Sequence, residues 1–104
     1  MATRDVFSRA VQRGLAVLGG REASLLDGTP CGSVVISRGV DLYAGLMDQP
    51  NDNHVVRADV AAIETRFAPK VNALLVHPTE GNSRLTRLAA DNGFARRFVV
   101  VQLP

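Results

Sequence analysis

The order of apolar and polar positions divides the chain into a short helical opening and a longer β-patterned remainder. Between Thr3 and Leu18, the residues Phe7, Ala10, Val11, Leu15 and Leu18 recur at helical spacing with Gly14 in the same stripe, while Arg4, Arg9 and Arg13 fall largely off it. The pattern predicts an amphipathic helix over 3–18 with one packed face and one wetted face. Thr3 can cap its start through its hydroxyl, and Asp5 in the first turn complements the helix dipole. Gly19-Gly20 ends it, because glycine takes the left-handed cap without steric cost.

Beyond the helix the apolar runs shorten. Ala23 to Leu26 is one such run, Asp27-Gly28-Thr29-Pro30 is a turn signal, and Ser33 to Met47 carries Val34, Val35, Ile36, Val40, Leu42, Tyr43 and Leu46, which together read as a hairpin. Gly39 and Gly45 within the second arm predict bulges or tight bends of the kind a small barrel needs to curl closed. Asp48 to Asn53, the run DQPNDN, has no apolar anchor and is expected to be a long mobile loop. From His54 to Phe67 the pattern fits either helix or two bent strands, with strand favoured over the second part. Pro69 breaks the chain, Val71 to Val76 reads as a strand, and Pro78 to Asn82 as a turn. Ser83 to Ala90 could be a helix capped by Ser83, yet the turn Asp91-Asn92-Gly93 followed by FARRFVVVQL favours a terminal hairpin, with Phe98 to Val101 as the strongest strand signal. The fold class expected is mainly β: a small β-barrel or sandwich over 23–103 behind an N-terminal α-helix.

Composition sharpens this picture in a few places. A chain of 104 residues has room for a single domain, 1–104, and its 46% hydrophobic and 21% charged content is that of a folding globule. No apolar run approaches the roughly 20 residues that span a bilayer, and MATRDVFSRAVQRG has no signal-peptide core, so no membrane role is expected and the chain is expected to remain where it is made. The net charge of +2 is mild. Among the 12 cations Lys70 is the one lysine and the rest are arginines, which suit bidentate contacts with carboxylate or phosphate.

The residues that could carry chemistry lack the required spacing. Cys31 is the single cysteine, so no intrachain disulfide can form, and its pairing with His54 or His77 is the one thiol-base arrangement to consider. Its turn context, Pro30-Cys31-Gly32, reads more simply as a small half-buried thiol. His77 before Pro78 reads as a strand-end residue. The two histidines with Asp52 or Asp59 have no metal-site spacing, the acids form no pair apart from the loop residues Asp48 and Asp52, and no glycine-rich phosphate loop occurs. No enzyme activity, cofactor or metal is expected. Arg84, Arg87, Arg96 and Arg97 fall on the two arms of the C-terminal hairpin, where folding would gather them into a positive patch suited to a protein partner or to DNA backbone.

The sequence of elements, a helix ending at Gly-Gly, a short strand, a turn, SVVISRGVDLYAG, a polar loop and a hairpin closing on FVVVQL, resembles the lambda-type head-tail joining proteins of tailed bacteriophages, also called stopper or head-completion proteins. The likeness is carried by Val35-Ile36-Ser37-Arg38-Gly39-Val40, by Val56-Arg57-Ala58-Asp59-Val60, and by Arg87 to Leu103 with its D-x-G turn. The chain departs from the family at Pro69-Lys70-Val71-Asn72, where a Gly-Asp pair is usual, and at Leu85 and Leu88, which replace an aromatic residue.

The resemblance implies a structural protein of the virion, made in the host bacterial cytoplasm and monomeric in isolation. It would assemble as a six-fold ring below the portal or adaptor protein, hold packaged double-stranded DNA in place, and meet the tail terminator or tail tube protein. Under it, Phe7 and Arg13 on the helix and Asp48, Gln49, Asn51, Asp52 and Asn53 in the loop carry partner contacts. Arg84, Arg87, Arg96 and Arg97 face the DNA channel or a neighbouring subunit. Two other readings stay open: a different connector ring protein, either adaptor or tail terminator, and a small OB-like or SH3-like module that binds nucleic acid through the arginine hairpin.

Overall fold

The computed structural model describes residues 3–43, 55–67 and 69–104. The polar loop 48–53, together with Gly45 and His54, lies outside the described residues, as do the side chains of Thr3 and Asp5. Helix α1 spans Thr3–Val17 and is followed by strands β1 (Arg21–Leu25), β2 (Pro30–Tyr43) and β3 (Val55–Glu64), a 3-10 turn Thr65–Phe67, then β4 (Leu74–His77), β5 (Gly81–Asp91) and β6 (Ala95–Gln102). The six strands close into an antiparallel barrel in the order β1-β2-β3-β6-β5-β4, with β4 pairing back onto β1 through Ser24 opposite Val76 and Leu25 opposite Leu75. The expected mainly β fold with one N-terminal helix is the one observed.

The barrel closes because alternate positions of every strand are apolar and meet inside. Ala23, Val34, Ala61, Ile63, Leu75, Leu85, Phe98 and Val100 form its core. Closure also needs bends. Gly39 supplies one at φ +62, where the β2–β3 register shifts between Ser37 and Val40, as its sequence context predicts. Asp59 on β3 fixes that bulge from below: its Oδ1 accepts the Gly39 amide at 3.1 Å and its Oδ2 the Arg38 guanidinium at 2.9 Å. Arg38 then reaches Glu80 at 3.1 Å, so one arginine ties β2 to β3 and to the β4–β5 turn.

Several details differ from the sequence expectation. β4 starts at Leu74 instead of Val71, because Asn72 adopts φ 77 and the chain turns there, leaving Val71 exposed. The IETRF segment leaves the strand after Glu64 and winds into the 3-10 turn. Cys31 is buried on β2 at 1% exposure instead of half-buried in a turn. The terminal hairpin forms as expected, and the helical alternative for 83–90 does not.

The largest correction concerns α1. Its buried side is Ser8 and Leu15, with Val11 and Gln12 partly covered, while Phe7 and Leu18 of the expected packing stripe stand 54% and 71% exposed. Helical spacing identified an apolar stripe, but the barrel offers a buried carboxylate to cover, and the adjacent polar stripe satisfies it.

Candidate functional site

The site begins with that carboxylate. Glu64 ends β3 at 4% exposure. A buried charge of this kind is tolerated only when its lone pairs are filled. Ser8 Oγ donates to its Oε2 at 2.7 Å, Gln12 Nε2 donates to its Oε1 at 2.6 Å, and Arg66 Nε lies 3.1 Å from Oε2. Gln12 is held from its other end as well, because its Oε1 accepts the Ser33 amide at 2.6 Å. The helix is therefore latched to the outer wall of β2 and β3 by a polar cluster, with Leu15 as its one fully buried apolar anchor among the described residues.

Three glycines make room for this attachment. Gly32, at φ +65, faces Gln12 so closely that a Cβ would stand 2.5 Å from its Oε1. Gly19 at φ +96 and Gly20 end the helix: their amides bond to the carbonyls of Ala16 at 3.0 Å and Leu15 at 2.8 Å, the double hydrogen bond of a Schellman cap.

A pocket opens on each side of the latch. The first, about 510 Å³, lies between Phe7, Ser8 and Val11 of the helix and the segment Glu64 to Arg66, and is closed by Gly93 and Phe94 of the β5–β6 turn. The turn is set in place by Asp91 and Asn92, whose side chains accept the amides of Gly93, Phe94 and Ala95 at 2.8 to 2.9 Å, and by the Thr65 amide, which donates to the Phe94 carbonyl at 2.8 Å. Phe7 and Phe94 face each other across the opening with ring centres 6.2 Å apart. The second, about 420 Å³, lies on the opposite flank of the helix and is lined by Ser8, Arg9, Gln12, Arg13 and Arg66. The first pocket carries two aromatic rings and the second is basic.

The sequence matches no family model and no curated protein. What the chain can do must be read from its own geometry.

The structure separates the four hairpin arginines expected to act together. Arg84 pairs across β5–β6 with Val101, Arg87 with Val99 and Arg97 with Ala90, which puts these three exposed side chains on the outer face of the barrel. Arg96 is turned to the other face, opposite Ile63, and its Nε is bound to Asp91 at 3.1 Å. Of the helix residues expected at a partner contact, Phe7 lines the first pocket and Arg13 the second, while Asp48, Gln49, Asn51, Asp52 and Asn53 fall outside the described residues. Sequence reasoning missed Ser8, Gln12 and Glu64. Ser8 and Gln12 are polar and fell off the apolar helix stripe, and Glu64, their partner on β3, lies more than 50 positions away.

The thiol-base idea finds no support at His77. Its Nδ1 accepts the amides of Thr79 and Glu80 at 3.3 and 3.2 Å, which leaves Nε2 to donate to the Val34 carbonyl at 3.0 Å. Both ring nitrogens are spent on backbone. Burial also pushes the Cys31 thiol above its ordinary pKa, which disfavours the nucleophilic thiolate. Among the described residues, no three His, Cys, Asp or Glu side chains gather as a metal site, and no helix is long and apolar enough to cross a membrane.

Proposed function

We propose that this chain is a structural subunit of the head-tail connector of a tailed bacteriophage. Several copies would close into a ring below the portal or adaptor, retain packaged DNA and offer the tail its attachment site. The reading rests on the resemblance in element order and strand motifs, and one observation carries it: the helix wears its apolar side outward. Val6, Phe7, Val17 and Leu18 are 54 to 81% exposed while the polar side of α1 faces the barrel. Large apolar side chains left exposed at both ends of one helix offer surface that a neighbouring copy can cover. A ring contact, burying roughly 1,200 to 2,000 Å², would cover it. Adaptor and tail terminator remain neighbouring assignments within the same particle, distinguished by position in the virion.

The test is deletion of the gene from the phage or prophage that encodes it, followed by electron microscopy of the lysate. Finished heads beside finished, unjoined tails are expected. Complementation with the wild-type gene should restore joined particles, and a Val17→Glu, Leu18→Glu double variant that still folds should not. Intact infectious particles from the deletion would sink the proposal. A second reading, nucleic-acid binding through Arg84, Arg87 and Arg97, is favoured by their common outer face; it requires the isolated protein to bind DNA with an affinity that falls steeply with salt.

A further inference from the structure

One buried ionisable ring has no part in the connector reading. His77 ends β4 at 4% exposure, on the seam where the barrel closes. Along that seam β4 meets β1 at Ser24 opposite Val76 and Leu25 opposite Leu75, a shorter ladder than any other in the barrel. Past Val76 the ladder stops and the His77 ring takes over, its Nε2 donating across to the Val34 carbonyl of β2 at 3.0 Å. The other ring nitrogen, Nδ1, gathers the turn that follows: it accepts the amides of Thr79 at 3.3 Å and Glu80 at 3.2 Å, with the Thr79 hydroxyl at 3.2 Å. The gathered turn holds Glu80 where Arg38 reaches its Oε1 at 3.1 Å and where Gln102 Nε2 donates to its carbonyl at 3.1 Å.

We infer that His77 is an acid-operated clasp: a proton on its Nδ1 releases the turn Pro78–Glu80 and loosens the barrel at the β1–β4 seam. The neutral ring binds two amides with one lone pair. A proton on that nitrogen turns the acceptor into a third donor aimed at two N–H groups, and leaves a cation in a buried place. The carboxylates on the surrounding elements are already engaged, Asp59 of β3 by the Gly39 amide and Arg38, and Glu80 by Arg38. Arg38 adds positive charge of its own to this end of the barrel, Arg21 and Glu22 of β1 and Arg84 of β5 are exposed, and the buried Cys31 thiol of β2 is neutral. The charged ring must therefore turn out to water, which drops the Val34 carbonyl along with the two amides. The closed form excludes the proton and the open form accepts it, so the closed form is favoured at higher pH and lost as pH falls. Glu80 carries the change onward, because the opened turn takes it from Arg38 and leaves Asp59 as the remaining partner of that arginine at the Gly39 bulge.

The test is NMR of isotope-labelled protein from about pH 8 to about pH 5, the range in which an imidazole takes up its proton and carboxylates stay charged. At the upper end the ring nitrogens of His77 should report a proton on Nε2 and none on Nδ1. As Nδ1 takes its proton, the protection of the Thr79 and Glu80 amides against hydrogen exchange should fall by up to about tenfold per pH unit, the slope of a single proton. Ala61 and Phe98 of the β3–β6 ladder should keep theirs. His77→Asn sets an oxygen in the place of Nδ1 that does not protonate in this range, so its Thr79 and Glu80 amides should hold one level of protection throughout. Protonation of Nδ1 with unchanged protection at Thr79 and Glu80, an equal loss of protection in His77→Asn, or a ring that stays neutral until the whole barrel unfolds would each overturn the inference. Should His77→Asn fail to fold, the wild-type titration decides by itself. None of these outcomes depends on whether the protein belongs to a phage particle.

Discussion

At the residue scale, the decisive positions are those where two backbones or a backbone and a buried charge come close. Gly32 illustrates this. Its φ of +65 lies in the left-handed region, and its missing Cβ makes room for Gln12, which bonds both Glu64 and the Ser33 amide. Gly32→Ala should therefore strain the backbone and push Gln12 off its partners, costing about 1 to 3 kcal/mol and read as a lower denaturant midpoint. A midpoint equal to wild type would mean that Gln12 moves away without loss. The sequence marked Gly39 and Gly19-Gly20 correctly, since a glycine inside a strand pattern or at the end of a helix pattern has a local meaning. Gly32 has its meaning only through a residue twenty positions earlier, and local reading placed it in a turn.

At the element scale, α1 is attached chiefly by hydrogen bonds, an unusual arrangement for a helix with so many apolar residues. Gln12→Ala would remove two bonds and leave Glu64 with one lone-pair site open, a loss of about 1 to 3 kcal/mol. The barrel should survive, because its core does not include the helix. Hydrogen exchange should thus show faster exchange of the α1 amides with little change in β3 and β6, and equal acceleration in both would show that helix and barrel unfold together. The strand assignments that were legible, β1, β2 and the β5–β6 hairpin, rest on strong alternation and turn residues. Where the pattern was ambiguous, over 55–67, the pairing of Val60 with Val99 and Ala61 with Phe98 chose strand.

At the scale of the whole molecule, three carboxylates act as staples between neighbouring chain segments. Asp59 is held below the ordinary carboxylate pKa by the Gly39 amide and then by Arg38, Asp91 by the Gly93 amide and then by Arg96, and Asp27 by Thr29. A carboxylate with a lowered pKa in the folded state stabilises fully above its unfolded pKa near about 4 and loses that contribution as pH falls through the folded value. Melting temperature should accordingly fall between about pH 5 and pH 2, and Asp59→Asn with Asp91→Asn should flatten that decline. A melting temperature independent of pH over this range would remove these staples from the account.

Local pattern along the chain is enough to make it mainly β, to place one helix ahead of the strands with its stop at Gly19-Gly20, and to close a hairpin on FVVVQL. Those features follow from spacing, caps and turn residues acting over a few positions. Which side of the helix is covered follows from its docking on the barrel, since Glu64 makes the polar stripe of Ser8 and Gln12 the better match for the barrel wall and leaves Phe7 and Leu18 outside. Which arginines stand together is likewise set by strand pairing and helix docking. Strand register put Arg84, Arg87 and Arg97 on one face and turned Arg96 to another, and helix docking brought Arg9 and Arg13 beside Arg66. Such groupings join residues distant along the chain, and no local pattern encodes them.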